Sequence, residues 1–328
     1  MRAAWYDRTG PAREVLQIGE RPTPVPGRGE VLIRVRASGV NPSDVGMRGG
    51  VNAPMAYPRI TPNSDGAGVV EAVGPWVDAG LIGKRVWFYN GQRNGRAFGS
   101  AADYIELDAD LVSPLPDNVS FAEGATLGIP GMTAHVALFA AGPVQGRVVL
   151  VTGGAGAVGL YAVQLAKWAG ATVIATVSSA EKAARAKAGG ADFTIDYRRE
   201  DVAKAVREIT GGEGVDHVVD VDFGGNRAQT VRALKPCGSI AYYASKGEPA
   251  PVLTAGELMR KNLTVRGVLL PTSPHEARRR AQADITRWIS TGDRILAVAG
   301  TYPLDDIAAA HEAVERGDKA GTVVVEIG

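Results

Sequence analysis

The spacing of hydrophobic positions along this chain changes period part-way through, and the change divides it in two. In EVLIRVRASGV, Val31, Ile33 and Val35 alternate with Leu32, Arg34 and Arg36, which is the two-residue period of a strand. GVVEAVG and KRVWFY continue that pattern, with Gly and Pro between the runs, so the chain to about Pro116 reads as a compact β-rich region. From Phe121 helices alternate with strands: a helix through Leu138, a strand over 148–152, a helix over 157–169, a strand over 172–177 and a helix to about Ala188. FTIDY, a helix from Glu200 to Ile209, VDHVVDV, a helix near Ala228 to Leu234 and GSIAYYA extend the series. Such alternation predicts an α/β fold with a doubly wound parallel sheet covered by helices on both faces. LTVRGVLL, an amphipathic helix through Ile289, a helix from Leu304 to Arg316 and the strand GTVVVEI read as a return to the front region. The expected domains are 1–120 with 263–328, and 121–262.

The most informative stretch within this pattern is Arg147 to Lys182, RVVLVTGGAGAVGLYAVQLAKWAGATVIATVSSAEK. A β-branched run stops at a glycine cluster, and a helix-periodic segment with Val158, Ala162, Leu165 and Ala166 on one face follows. Gly154, Gly156 and Gly159 stand at GxGxxG spacing, which lets the turn close, the backbone approach a pyrophosphate and the helix pack on the strand. Gly153, Gly154, Ala155, Gly156, Ala157, Val158 and Gly159 are therefore the expected dinucleotide cradle, with the helix N-terminus facing the anion. The end of the next strand selects the coenzyme. Where an NAD fold places a carboxylate for the ribose 2′-hydroxyl, this chain has Val177, Ser178 and Ser179, and Lys182 lies one helical turn further on. Two hydroxyls and an ammonium suit a 2′-phosphate, so NADPH is expected over NADH. The plainer alternative makes Ser178 a helix cap and Lys182 a solvated side chain.

Composition narrows the function classes. With 36 basic and 35 acidic residues the net charge is +1, so no broad footprint for nucleic acid is present. A single cysteine, Cys237, excludes an internal disulfide framework and suits a reducing compartment. MRAAWYDRTG lacks the apolar core of a signal peptide and no segment approaches a membrane span, so a cytoplasmic protein without membrane partners is expected.

Further pieces carry a resemblance: GVNPSD at Gly39 to Asp44, DGAGVVEAVG at Asp65 to Gly74, LVSPLPDNVSFAEGATL at Leu111 to Leu127, GMTAHVAL at Gly131 to Leu138, VSSAEK, IDYRRED at Ile195 to Asp201, and AHEAVERGDKAGTVV. Together with the glycine motif they resemble the medium-chain dehydrogenase/reductase superfamily, and within it the zinc-independent, zeta-crystallin-like quinone oxidoreductases. The resemblance implies a GroES-like β-rich catalytic domain, an inserted Rossmann domain, a cleft between them and a homodimer. Zinc alcohol dehydrogenases of the superfamily look like GVCxxD and GHE where this chain has Asn41 and Ser64. With one cysteine and four scattered histidines, His135, His217, His275 and His311, neither a catalytic nor a four-cysteine zinc site can be built, so no metal is expected.

Without a metal, the natural chemistry is hydride transfer from NADPH to an electron-poor acceptor, a quinone or an enone. Charge developing on the acceptor oxygen needs a donor, and Asn41 is the first candidate for it or for a nicotinamide-side contact. By resemblance, Asp44 orders the same loop, Thr133 contacts the nicotinamide ribose or the phosphates, and Tyr197 lies by the adenine ribose phosphate. Phe223, Tyr243 and Ser245 fall at carboxyl ends of sheet strands, where a doubly wound fold binds its ligand. No residue stands out as an obligatory acid, leaving solvent to supply the proton. Family members often look like NPxDxYxRxG, but Gly46 stands at the tyrosine position, which widens the expected pocket. Where a family arginine can reach the 2′-phosphate, this chain has Gly317, leaving more of the preference to Lys182. A carbon–carbon double-bond reductase of enones or alkenals, and a non-catalytic NADPH- or RNA-binding protein, stay open as alternatives.

Overall fold

The computed structural model describes residues 1–51, 54–92, 95–317 and 320–328. The chain forms two compact units, one of Met1–Ile129 with Gln282–Gly328 and the other of Pro130–Ala281. In chain order the first unit contains β1 (Arg2–Trp5), α1 (Ala12–Val15), β2 (Gln17–Glu20), β3 (Glu30–Val40), α2 (Pro42–Arg48) and β4 (Asp65–Val73). β5 (Arg85–Phe88), β6 (Tyr104–Asp108), β7 (Val112–Pro114) and α3 (Phe121–Gly124) follow. The second unit contains α4 (Met132–Leu138), β8 (Val148–Val151), α5 (Ala157–Trp168), β9 (Thr172–Val177), α6 (Ala180–Ala188), β10 (Phe193–Asp196) and α7 (Val202–Ile209). β11 (Val215–Asp220), α8 (Phe223–Ala233), β12 (Leu234–Tyr242), α9 (Ala255–Lys261) and β13 (Thr264–Gly267) complete its strands and inner helices. α10 (His275–Ser290) then leads to β14 (Val298–Pro303), α11 (Ile307–Arg316) and β15 (Thr322–Glu326) of the first unit.

In the first unit, β1 and β2 form an antiparallel pair and a larger sheet has the order β14-β15-β3-β4-β5-β7, with β6 also on β3. Val31, Ile33 and Val35 of β3 bury their side chains with Val70, Phe88, Ile105, Val323 and Val325, and α11 adds Ile307, Ala310 and Val314 to the same core. Arg34 faces solvent as the alternation predicts, whereas Leu32 is buried too, because β3 runs through the interior of the sheet. The second unit is a parallel six-stranded sheet of order β10-β9-β8-β11-β12-β13. Its first strand lies in the middle, so the winding reverses between β8 and β11, and that switch point is where such sheets bind ligands. This is the doubly wound parallel sheet predicted from the strand–helix alternation, and the Rossmann domain that the resemblance implies.

Three features differ from the sequence reading. β13 pairs in parallel with β12, so LTVR belongs to the second unit's sheet, and the chain rejoins the first unit at Gln282 rather than near Leu263. A run that short has no period that assigns it to one sheet or another. The helix expected near Ala228 begins at Phe223, because the Asp222 side chain accepts from Gly225 N–H at 3.4 Å and caps it ahead of two glycines that read as a turn. The helix expected through Leu138 is broken: α3 ends at Gly124, and Gly128 has ψ −111° before Pro130 and α4.

Candidate functional site

The expected dinucleotide cradle lies at the switch point. Gly153 N–H donates to Thr176 Oγ1 at 3.0 Å and Gly154 N–H to the Thr176 carbonyl at 3.0 Å, so the turn is tied to the end of β9. Gly153 has φ 65°, in the left-handed region that favours glycine. A Cβ on Gly159 would stand 2.2 Å from the Gly153 carbonyl oxygen, so only glycine lets α5 pack this closely on the turn. At Gly156, the N-cap of α5, a Cβ would meet only the Gly153 oxygen at 3.4 Å, and no side chain caps the helix. The first-turn N–H groups of Ala157, Val158 and Gly159 thus face an approach that glycine keeps clear, which fits a pyrophosphate.

Beyond β9, Lys182 Nζ donates to Ser178 Oγ at 3.1 Å, and Tyr197 N–H donates to the Val177 carbonyl at 3.2 Å. Ser178, Lys182 and Tyr197 are therefore neighbours. Ser179, not Ser178, is the helix cap: its Oγ accepts from Lys182 N–H at 3.3 Å. Arg185 lies one turn further along α6. Its Nε and Nη2 are buried without hydrogen-bond partners, and desolvation lowers its pKa.

At the end of β11, Asp220 is fully buried and accepts at one oxygen from Thr152 Oγ1 at 2.8 Å, Asn226 Nδ2 at 2.8 Å and Asp222 N–H at 3.0 Å. Burial raises its pKa, and no partner reaches its Oδ2. Desolvation, with Asp220 adding to it, raises the Tyr243 phenol. Phe223 is a core residue that stacks on Tyr242 with ring centroids 4.6 Å apart. Ser245 Oγ accepts from Gly224 N–H at 3.1 Å and donates to the Glu248 carbonyl at 2.8 Å, bracing the same loops. Thr133 is buried in α4.

In the first unit, β3 ends at Val40, and Asn41 begins α2 as its N-cap with Pro42 at the first helical position. Asn41 N–H donates to Asp44 Oδ2 at 2.8 Å, and Ser64 Oγ donates to Asp44 Oδ1 at 2.8 Å. Asn41 Nδ2 donates to Asp65 Oδ2 at 2.7 Å, and Ile129 N–H donates to the same oxygen at 2.7 Å. All four polar residues, Asn41, Asp44, Ser64 and Asp65, are buried. Asn41 presents its amide nitrogen, not its oxygen, to Asp65. Asp44 closes a capping box on Asn41 at the start of α2. Asn90, in a left-handed conformation beside Ser64, is a further buried amide, and neither of its side-chain polar atoms has a partner. Nothing in YNGQ distinguishes it from an ordinary turn asparagine.

Two family descriptions match the chain, the alcohol dehydrogenase GroES-like domain over residues 27–117 and the zinc-binding dehydrogenase over 157–286. The quinone oxidoreductase of Mus musculus is 32% identical over 92% of this chain and 90% of its own. The chain belongs to the quinone oxidoreductase family of the medium-chain dehydrogenase/reductases. Within reach of this quinone oxidoreductase family lies the 2-haloacrylate reductase of a Burkholderia species, 34% identical over 92% of this chain and 91% of its own. The Escherichia coli quinone oxidoreductase solved in complex with NADPH has a TM-score of 0.85 and 28% identity, covering 100% of both chains. The residues present do not fit the zinc of the matched description. Asn41 Nδ2 and Ser64 Oγ are engaged with carboxylates, and among the described residues no three His, Cys, Asp or Glu side chains converge.

Proposed function

We propose that this protein is an NADPH-dependent quinone oxidoreductase that reduces its acceptor without a metal. The observation that carries the reading is the buried amide of Asn41, held 2.7 Å from Asp65 at the position where a zinc enzyme of the superfamily presents a thiolate. A neutral amide cannot act as a Lewis acid, but its remaining N–H can donate to an oxygen on which charge develops. Support for the coenzyme comes from the glycine turn and from the pairing of Lys182 with Ser178, with no carboxylate at the end of β9. NADPH when bound supplies the hydride. In the proposed mechanism Asn41 holds the acceptor carbonyl, Asp65 and Asp44 hold Asn41, Gly153 to Gly159 seat the pyrophosphate, and Ser178, Lys182 and Tyr197 take the 2′-phosphate. Ser179, Thr133, Tyr243 and Ser245 belong to the same proposed coenzyme site through the strand ends and loops they hold, and Phe223 acts there by packing. Solvent supplies the proton that completes the hydroquinone.

The 2-haloacrylate reductase relative and Gly46 favour a second reading, reduction of an activated carbon–carbon double bond. Loss of NADPH absorbance with 1,4-benzoquinone, 9,10-phenanthrenequinone and an alkenal separates the two, and zinc is measured on the same preparation. Turnover with quinones and no stoichiometric zinc is expected. Turnover with the alkenal alone supports the second reading, and tight NADPH binding without turnover on any acceptor supports a non-catalytic role. The protein is further proposed to be a cytoplasmic homodimer, with β13 at an open edge of its sheet as a surface for self-pairing.

A further inference from the structure

Behind Asn41 runs a line of buried hydrogen bonds whose far end is a histidine distant in sequence. His311 of α11 is fully buried, and its Nε2 lies 3.0 Å from Asn63 Oδ1. Asn63 Nδ2 donates to Ser38 Oγ at 2.9 Å, Ser38 Oγ is 2.7 Å from Ser100 Oγ, and Ser100 Oγ donates to the Asp65 carbonyl at 2.6 Å. The direction of each bond follows from its neighbour. A carbonyl only accepts, so the Ser100 hydrogen goes to Asp65; Ser38 must then donate to Ser100, and Asn63 to Ser38. Asn63 Oδ1 is left to accept, which places the His311 proton on Nε2. Asn63 has φ 71°, a strained conformation for a residue with a Cβ, and its side-chain bonds hold it there. Residues 63–65 thus form a bracket: Asn63 is fixed to α11, Ser64 to Asp44 and Asp65 to Asn41. α11 also grips α2 directly through an ion pair between Glu315 and the buried Arg48.

We infer that His311 is a positioning residue for the reduction: acting through Asn63, Ser38, Ser100 and Asp65, it fixes the orientation of the Asn41 amide toward the acceptor oxygen. This rests on the role of Asn41 proposed above. His311 serves as a neutral donor, since burial, with the charge of Arg48 adding to it, pushes its pKa down to about 3. Removing the Nε2 hydrogen leaves a buried amide oxygen unpaired and frees Asn63 to turn, and the bracket moves with it.

A double-mutant cycle tests this. His311→Leu is expected to lower kcat with 1,4-benzoquinone about tenfold, a usual size of coupling for residues in one network, with KM for NADPH within about twofold of the parent. His311→Gln, which keeps a donor, is expected to recover most of the loss. In an Asn41→Ala background, His311→Leu is expected to cost less than about twofold, because the group it positions is gone. An undiminished cost in that background, equal losses in the Leu and Gln variants, or a parental kcat for His311→Leu would overturn the inference. Thermal melting and NADPH binding are measured alongside. If His311→Leu does not fold, Ser38→Ala, which breaks the line at a small side chain, takes its place in the same cycle: a kcat loss that shrinks to less than about twofold in the Asn41→Ala background is expected, and a parental kcat or an undiminished cost there would overturn the inference. If Asn41→Ala alone keeps the parental kcat, the assignment of Asn41 itself fails. A lowered kcat for Asn41→Ala with additive His311 effects leaves that assignment standing and removes only the positioning role.

Discussion

Lys182 shows how much coenzyme choice can rest on one side chain. It is exposed and extended across Ser178, so in the proposed coenzyme site its charge would act on a 2′-phosphate through a short charge-assisted contact rather than through burial. Lys182→Ala is expected to weaken NADPH about tenfold while leaving NADH within about twofold, read from fluorescence titrations with both coenzymes. Equal weakening of the two would place the lysine away from the phosphate. The buried histidines make stability depend on pH. His217 Nε2 lies 2.9 Å from the Ala137 carbonyl and its Nδ1 2.7 Å from Ser239 Oγ, and burial pushes its pKa down to about 4, while that of His311 falls to about 3. Both are neutral when folded and take up protons on unfolding below their ordinary value of 6.5, so stability is full above that pH and declines as the pH falls toward 4. Each contributes at most about 1.4 kcal/mol per pH unit across that window. Urea midpoints at pH 7.5 and 5 measure the decline, and His217→Asn is expected to flatten it.

At the scale of elements, the turn between β8 and α5 was legible because its chemistry is local. Strand, glycines and helix stand side by side in the sequence, and Gly159 does what its spacing requires. Gly159→Ala would place a methyl carbon 2.2 Å from the Gly153 oxygen, so it is expected to cost about 1–3 kcal/mol and to weaken NADPH binding, both visible in a melting curve with and without coenzyme. The start of α8 was not legible. Its glycines argue for a turn, and they are overruled by Asp222, whose carboxylate also accepts from Lys246 N–H at 2.8 Å and Gly247 N–H at 3.0 Å. The Asn41 site falls between these cases. Its residue type and its loop could be read from GVNPSD, whereas the partners outside that loop lie far off, Ser64 20 residues from Asp44 and Asp65 24 from Asn41, and His311 stands 248 residues from Asn63. No periodicity or spacing rule links polar groups that far apart.

For the whole molecule, the change from a two-residue period to strand–helix alternation was enough to reveal two kinds of architecture, and the point of return was misplaced because β13 is only 4 residues long. Among the described residues, the outer edge of β13 carries no partner strand within the six-stranded sheet. If β13 is the seat of self-association, Val265→Pro, which cannot complete a ladder there, is expected to shift light-scattering mass from dimer to monomer; an unchanged dimer would put the contact elsewhere. The interrupted first unit also has a consequence for biosynthesis. β15 sits between β14 and the Ala37–Val40 end of β3, so that end, beyond the stretch paired with β6, emerges from the ribosome with one flank bare and stays so while all of Pro130–Ala281 is being translated. The later-made unit has every strand of its sheet in hand before the earlier-made one does, and nascent chains stalled short of Thr322 will expose β3 to chaperones and proteases.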